Sequence, residues 1–324
     1  MKAVLQDRYG PPEVLRIGEV EKPEPKDGEV LIRVMASTVT QTDAHLRAPD
    51  PFVWRLLRGI RRPNRWPTLG VELAGILEGV GAGVTEFKVG DAVFGQPPWV
   101  GAHAEYICVR ETAAIARMPT GLSFEEAASV ADGVTQALAT LRQAGVAAGQ
   151  HIVVYGASGS LGTAAVQLAK EIGAHVTGVT STKHVELVRS LGADEVVDYL
   201  HDDYTKGGRT YDAIIDAVGK GSFLRGRRAL KPGGTFVATD GMRNFLWWLL
   251  TWKVASRRLK FAAGQRRKKD VLFLKDLIEA GKFRPVIDRR YPMDQVADAH
   301  RYVDSWHKGG NVVLVIADEG TISA

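Results

Sequence analysis

Hydrophobic and polar positions follow two rhythms along the chain, and the rhythm changes once. Up to about residue 120 the apolar residues come in short alternating pieces, such as "EVLIRVMAS" (29–37) and "LAGILEGVG" (73–81). Gly- and Pro-rich turns such as "KVGDAVFG" (88–95) break them up, so this part predicts a mostly β module. The texture shifts at "LSFEEAASVADGVTQALATLRQAG" (122–145), where Ser123 reads as an N-cap and Glu126 as its capping-box partner. From residue 151 strand-like runs alternate with helix-like ones: "HIVVY", "LGTAAVQLAKEIG", "HVTGVT", "KHVELVRSLG", "EVVDY", "YDAIIDAVG" and onward to "GTFVAT". That alternation predicts βαβ units on a parallel sheet, and hence an α/β protein. A helix at "DVLFLKDLIEAG" (270–281) follows, then a second helix and the apolar strand "NVVLVI", which is expected to return to the first module. The expected layout is 1–121 for the first part of the β domain, 122–284 for the inserted βα domain, and 285–324 for the return.

Composition changes this picture only locally. A 324-residue chain with 45% hydrophobic and 24% charged residues is ordinary for a globular protein of about two domains. The lone cysteine, Cys108, excludes an intramolecular disulfide and an all-cysteine metal cage, and suits a reducing compartment. No signal-like N-terminal segment is present and "FLWWLL" (245–250) is far too short to span a bilayer, so a cytoplasmic location is expected. The net charge of +5 is concentrated: residues 52–68 carry five Arg and residues 243–269 nine Lys or Arg, neither with an acid. The rest of the chain is acidic in balance. Both basic segments are interleaved with Trp and Phe.

The strongest chemical signal is "HIVVYGASGSLGTAAVQLAKEIGA". A buried-type strand runs into Gly156, Ser158, Gly159 and Gly162, and a helix opens at Ser160 and Leu161. Glycines permit the tight turn and the close approach of backbone to a pyrophosphate, whose charge then meets the helix N-terminus. The next strand ends in "GVTSTKH", with Thr180, Ser181, Thr182 and Lys183 where an NAD site wants an acid. Hydroxyls and a lysine suit the extra 2′-phosphate of NADPH; the other reading of Lys183 is a solvated first-turn lysine.

Taken together, these stretches, with "MKAVLQDRYGPPEVLRIGEV" at the start and "HKGGNVVLVI" near the end, resemble the medium-chain dehydrogenase/reductase superfamily in its zinc-free quinone oxidoreductase branch. The resemblance covers essentially the whole chain. It implies a GroES-like β domain joined to a Rossmann domain with a doubly wound parallel sheet. It places Ser181, Lys183 and Tyr199 at the adenosine 2′-phosphate, Thr135 at the nicotinamide, and Val218 and Gly219 beside the nicotinamide half. Asn311 falls where relatives often carry a cofactor-facing basic residue.

The stretch "VTQTDAHLR" (39–47) is similar to a zinc alcohol dehydrogenase site without its cysteine. The three positions that hold catalytic zinc in metal-dependent relatives match Thr40, Val71 and Ala131, which cannot form a zinc site. No metal is therefore expected. Glu72, Thr42 and His45 are retained from the motif. Quinone oxidoreductases usually have asparagine at the position of Thr40 and an aromatic or lysine near His45, so this chain departs from its relatives there.

Without a Lewis acid, hydride delivery to an activated acceptor is favoured over alcohol oxidation. The expected activity is NADPH-dependent reduction of a quinone or α,β-unsaturated carbonyl, with Thr40, Thr42 and His45 as candidate polar contacts; His45 also reads as a packing histidine. An NAD(P)-dependent alcohol dehydrogenase is the alternative, and a cofactor-bound nucleic-acid-binding protein a second, disfavoured because acids dominate outside the basic segments. A homodimer is expected. Trp54, Trp247, Trp248 and Trp252 are expected either to form an apolar lip for a bulky acceptor or to pack in an interface. The surrounding charges suggest weak contact with anionic membranes.

Overall fold

The computed structural model describes residues 1–49, 55, 59–63, 67–239, 244, 247, 258–262 and 264–317. The chain forms two compact units, one of Met1–Asp132 with the chain from Arg266 onward, the other of Gly133–Gln265.

The first unit begins with β1 (Lys2–Gln6) and β2 (Leu15–Glu19), an antiparallel pair. It continues through β3 (Glu29–Val39), α1 (Gln41–Arg47), β4 (Leu73–Val80), β5 (Ala92–Gln96), β6 (Tyr106–Arg110), β7 (Ala114–Arg117) and α2 (Phe124–Ala128). The chain then crosses along α3 (Ala131–Ala144) into β8 (His151–Tyr155), α4 (Ser160–Ile172), β9 (His175–Thr180), α5 (Val185–Ser190), β10 (Glu195–Asp198), β11 (Tyr211–Asp216), α6 (Phe223–Gly226), β12 (Leu230–Ala238) and β13 (Arg258–Phe261). It returns through α7 (Lys268–Glu279), β14 (Ile287–Pro292), α8 (Val296–Asp304) and β15 (Asn311–Val315).

In the first unit β14-β15-β3-β4-β5-β7 form a sheet, with β6 also paired to β3. The final strand lies antiparallel to β3, Val312 opposite Val39, so "NVVLVI" completes a sheet begun near the N-terminus. Alternation along β3 and β4 buries Val30, Ile32, Val34, Leu73 and Leu77 against Phe87 and Ile115. Cys108 is half-buried on β6, and burial pushes its thiol up to about 11, so it behaves as an inert packing residue.

Every pairing in the second unit is parallel, in the order β10-β9-β8-β11-β12-β13. Counted within the unit this is 3-2-1-4-5-6, the doubly wound order whose direction reverses between β8 and β11. The strands are buried on both faces, as the continuous apolar run of Ile152, Val153 and Val154 predicts. Helix α4 buries Gly162 through Ala169 and stops at Gly173, which takes the left-handed conformation at φ 89°.

The division falls at Asp132 and Arg266 rather than at residues 121 and 284. Helix α2 has the predicted Ser123–Glu126 capping box, yet it packs on β3, β4 and β5 of the first unit. Helix α7 likewise packs on β7. A change of local rhythm marks where helices begin, and tertiary packing decides which sheet covers their apolar faces. Among the described residues no helix is long and apolar enough to cross a membrane.

Candidate functional site

In the second unit the candidate site grows from the loops after β8 and β11, the two strands flanking the reversal point. Gly156 has φ +82°, and a Cβ there would lie 2.5 Å from Val218, so only glycine lets the two loops close on each other. A Cβ on Gly162 would lie 2.1 Å from the Gly156 carbonyl, which fixes the tight helix start. Gly159 is the N-cap of α4, where a Cβ would make only an ordinary contact, 3.7 Å from the Gly156 carbonyl. The first helical N–H groups, at Ser160, Leu161 and Gly162, precede the first intrahelical donor and can receive an anion. Gly133 at the start of α3 lies 3.0 Å (from its Cβ position) from the Ser160 carbonyl, so buried Thr135 stands on a helix that abuts this turn.

The β11 loop is held by a residue the sequence reading did not single out. Asp216 is fully buried and accepts from the backbone N–H groups of Val218 (3.3 Å) and Gly221 (2.8 Å). Burial pushes its carboxyl up to about 6, against the pull of those amides. Asn244 completes the clamp, accepting from Phe223 N–H at 3.1 Å and donating to the Gly221 carbonyl at 2.9 Å. Val218 and Gly219 are thereby fixed next to the glycine turn.

At the neighbouring strand ends, Tyr199 N–H donates to the Thr180 carbonyl at 3.0 Å, bringing Ser181, Lys183 and Tyr199 into one neighbourhood. The buried Thr180 hydroxyl has no hydrogen-bond partner. An orphaned hydroxyl at this edge, a glycine cradle and the N-terminal turn of a helix fit a dinucleotide. Asp198 lies one strand over, opposite Thr180 in register, and accepts from the Thr182 hydroxyl.

In the first unit, α1 opens with Thr40 as its N-cap. The Thr40 hydroxyl donates to Asp43 Oδ2 at 2.6 Å and accepts from Asp43 N–H at 3.2 Å, a reciprocal cap. Asp43 is fully buried and its other oxygen accepts from Gly70 N–H at 2.8 Å. Thr40, expected to face an acceptor, therefore gives its hydroxyl proton to Asp43 instead. Thr42 and His45 are both half-exposed on the same helix.

Behind this helix lies a group of buried charges. Glu72 is fully buried; Oε1 accepts from the Thr38 hydroxyl and Oε2 from Asp132 N–H at 2.6 Å. The Asp132 carboxylate accepts from Gln96 at 2.8 Å. Burial, then the charge of Asp132, pushes Glu72 up to about 8; burial pushes Asp132 up to about 6. Two cations answer them. Arg266 is half-buried, binds the carbonyls of Pro97 and Trp99, and feels Asp132, Asp43 and Glu72. Lys308 is lowered by burial and held up by Glu72, Asp132, Asp288 and Asp43.

Val71 and Ala131 are fully buried and offer no donor atom, and the Thr40 hydroxyl is committed to Asp43, so these residues do not fit a catalytic zinc. Asn311 stands at the start of β15. Its side chain donates to the Val286 carbonyl at 3.1 Å, as its backbone N–H does at 2.8 Å, so it serves the start of β15. The nearby cation is Lys308.

A second polar set ties α1 to α8. Arg47 donates to His300 Nδ1 at 2.8 Å and to Asp304 at 2.7 Å. Because guanidinium only donates, neutral His300 carries its proton on Nε2. Burial, then His103 and Arg47, holds His300 well below its usual range. Just past α8, Trp306 has φ 61°, a left-handed conformation that costs an L-residue about 1–2 kcal/mol. Its ring centroid is 6.5 Å from that of His45.

Of the tryptophans expected to form a lip, Trp54, Trp248 and Trp252 lie outside the described residues. Trp247 is half-buried and, like Tyr155 and Phe261, packs on the apolar cluster that includes Phe223 and Phe236. Among the described residues the exposed tryptophans are Trp99 at 61% and Trp306 at 38%. Asp132, Asp216, Arg266 and Lys308 escaped the sequence reading because each sits in an ordinary-looking word; Asp43 did carry a local signal, standing in "VTQTDAHLR" beside Thr42 and His45 where a proton relay is expected, and it caps α1 instead.

Residues 26–148 match the family described as the alcohol dehydrogenase GroES-like domain, and residues 191–314 the one described as zinc-binding dehydrogenase. The chain is 32% identical to a 2-methylene-furan-3-one reductase of Solanum lycopersicum, over 97% of this chain and 79% of the relative. It is equally 32% identical, with the same coverage, to a chloroplastic NADPH-dependent alkenal/one oxidoreductase of Arabidopsis thaliana. Among solved structures, a quinone oxidoreductase from Coxiella burnetii superposes with a TM-score of 0.89 at 27% identity, covering 98% of this chain and 99% of that one.

Proposed function

The chain belongs to the medium-chain dehydrogenase/reductase superfamily, in its quinone oxidoreductase-like branch, and on that premise we propose that it reduces a quinone or an α,β-unsaturated carbonyl with NADPH. The observation that carries this reading is the pairing of an intact dinucleotide turn, Gly156 to Gly162, with metal positions filled by Thr40, Val71 and Ala131. Alcohol oxidation would need a Lewis acid that these residues do not hold. Reduction of an activated double bond does not.

NADPH, when bound, supplies the hydride. Gly156, Ser158, Gly159, Ser160, Leu161 and Gly162 are assigned to its pyrophosphate, Ser181, Lys183 and Tyr199 to its 2′-phosphate and adenosine, and Thr135, Val218 and Gly219 to its nicotinamide half. The chain's own work is then to orient the acceptor, exclude water and stabilise the charge that develops on the acceptor oxygen. Thr42 and His45 are assigned to that oxygen. Thr40 keeps the first turn of α1 in place through Asp43, and Lys308 with Arg266 balances the carboxylates behind it.

The reading includes a homodimer, weak attraction of the two basic segments to anionic membranes, and a cytoplasmic setting, which the lone Cys108 supports. Light scattering, vesicle flotation and cell fractionation test these in turn. For the activity, purified protein is mixed with NADPH and a panel of quinones, enones and alcohols. Loss of NADPH absorbance with quinones or enones is expected; turnover confined to alcohols with NADP⁺ would overturn the proposal.

A further inference from the structure

Among the described residues of the first unit, two buried imidazole nitrogens have no hydrogen-bond partner: His103 Nδ1 and His300 Nε2. Both side chains are fully buried. His103 N–H donates to the Leu69 carbonyl and His300 follows Ala299 on α8, and Leu69 and Ala299 belong to one apolar cluster with Val39 and Val303. A polar atom stranded in such a place is costly, so each of the two calls for a partner.

The second nitrogen of each ring fixes its tautomer. Arg47 donates to His300 Nδ1 at 2.8 Å, so neutral His300 carries its proton on Nε2. His103 Nε2 stands 2.9 Å from the Thr38 carbonyl, which only accepts. His103 therefore donates there, and in its neutral form keeps a bare lone pair on Nδ1. The two orphans are opposite in kind, one donor and one acceptor.

The ring positions decide what can join them. Their centroids are 6.3 Å apart and their planes stand at 84°. A ring nitrogen lies about 1 Å from its centroid and an N–H···N bond spans about 3 Å, so directly bonded rings have centroids within about 5.5 Å. Two bonds of about 2.9 Å meeting at one water oxygen extend that reach to about 7 Å. The pair is too far apart for a direct bond and within reach of one water. Both rings are also fixed in place. A Cβ on Gly70 would lie 2.7 Å from His103 Cδ2, and Arg47, bound to Asp304 as well, holds His300.

We propose that a single water molecule is built into the first unit here, accepting from His300 Nε2–H and donating to His103 Nδ1. A metal ion does not fit, because His300 Nε2 carries a proton and a guanidinium is bonded to the same ring. The water joins two hydrogen-bonded runs, Asp304–Arg47–His300 and His103–Thr38. Arg47 lies on α1 and the Thr38 hydroxyl donates to Glu72, so the helix carrying Thr42 and His45 is tied to the carboxylates behind it. This site stands whether or not the reductase reading does.

The test uses the full chain at about pH 8, where imidazoles are neutral, labelled with 15N in its eight histidines. Long-range proton–nitrogen spectra read each tautomer, and nuclear Overhauser spectra read contact with water. His300 Nε2–H is expected to give a cross-peak at the water frequency, with His103 protonated on Nε2 alone. His103→Phe keeps a ring and removes the acceptor, so this cross-peak should weaken at least about fivefold, as one of the water's two hydrogen bonds is lost. A crystal structure of wild type should show one water within about 3.2 Å of both nitrogens. Should His103→Phe fail to fold, the wild-type spectrum and crystal decide alone. Absence of the cross-peak, or of density between the rings, overturns the site. So does His103 protonated on Nδ1, or a cross-peak that keeps its full strength in folded His103→Phe.

Discussion

The two units build their candidate sites from different materials. In the second unit, function is assigned to backbone: glycines that let chain approach chain, helix amides that point outward, and one buried aspartate that spans its own loop. In the first unit it is assigned to side chains, and several of them are charges held out of water. Backbone sites tolerate almost no added atom, and their amides do not titrate; here only Asp216, pushed up to about 6, adds a titrating group. Side-chain sites tolerate changes of shape but depend on charge balance. Arg266 and Lys308 each feel the charges of Asp43, Glu72 and Asp132, and burial holds Glu72 toward its neutral form.

Several changes would break or sharpen this contrast. The largest effect is expected from Gly162→Val, whose side chain would collide with the Gly156 carbonyl. Affinity for NADPH should fall at least about 100-fold while the first unit keeps its fold. Fluorescence titration checks it, and tight NADPH binding by the variant would refute the backbone reading. Next, Lys308→Met removes a cation from the buried carboxylates and should cost about 3 kcal/mol of stability. Adding Glu72→Gln should restore part of that loss; a strictly additive double variant in denaturant melts would show that the charges do not balance one another.

Lys183→Ala should raise KM for NADPH roughly tenfold and leave NADH nearly untouched. Steady-state kinetics with both cofactors decides it, and equal use of both by wild type would remove the 2′-phosphate assignment. A smaller effect concerns pH. Because burial raises Glu72 to about 8 in the folded protein, its contribution to stability is complete below the usual glutamate range and is lost as pH rises through about 8. Glu72→Gln stays neutral, so it should match wild type near pH 5 and exceed it by about 2 kcal/mol near pH 9. Parallel pH profiles for the two proteins would contradict this. Finally, prolonged chelation should leave the reaction rate unchanged. Stoichiometric zinc by elemental analysis, with activity lost on its removal, would reverse the reading of Thr40, Val71 and Ala131.

Much of this was legible without coordinates. The switch from short alternations to strand–helix rhythm gave the two kinds of unit, because burial on one face or two writes its period directly into the chain. The glycine turn was legible because close backbone approach forbids a Cβ, and that prohibition shows in residue type alone. The misfit of these positions to zinc was legible for the same reason: valine and alanine have no atom to give a zinc ion. Other features had no such local mark. Glu72 meets Asp132 N–H sixty residues away, and Arg47 meets His300 across 253. Whether Thr40 faces an acceptor or caps its own helix, and which carboxylates Lys308 meets, are questions of which distant groups arrive at the same place. Residue identity determined what each position was able to do, and tertiary structure decided which partner each one met, because hydrogen bonds and buried charges are settled only where the folded chain brings donor to acceptor and excludes water.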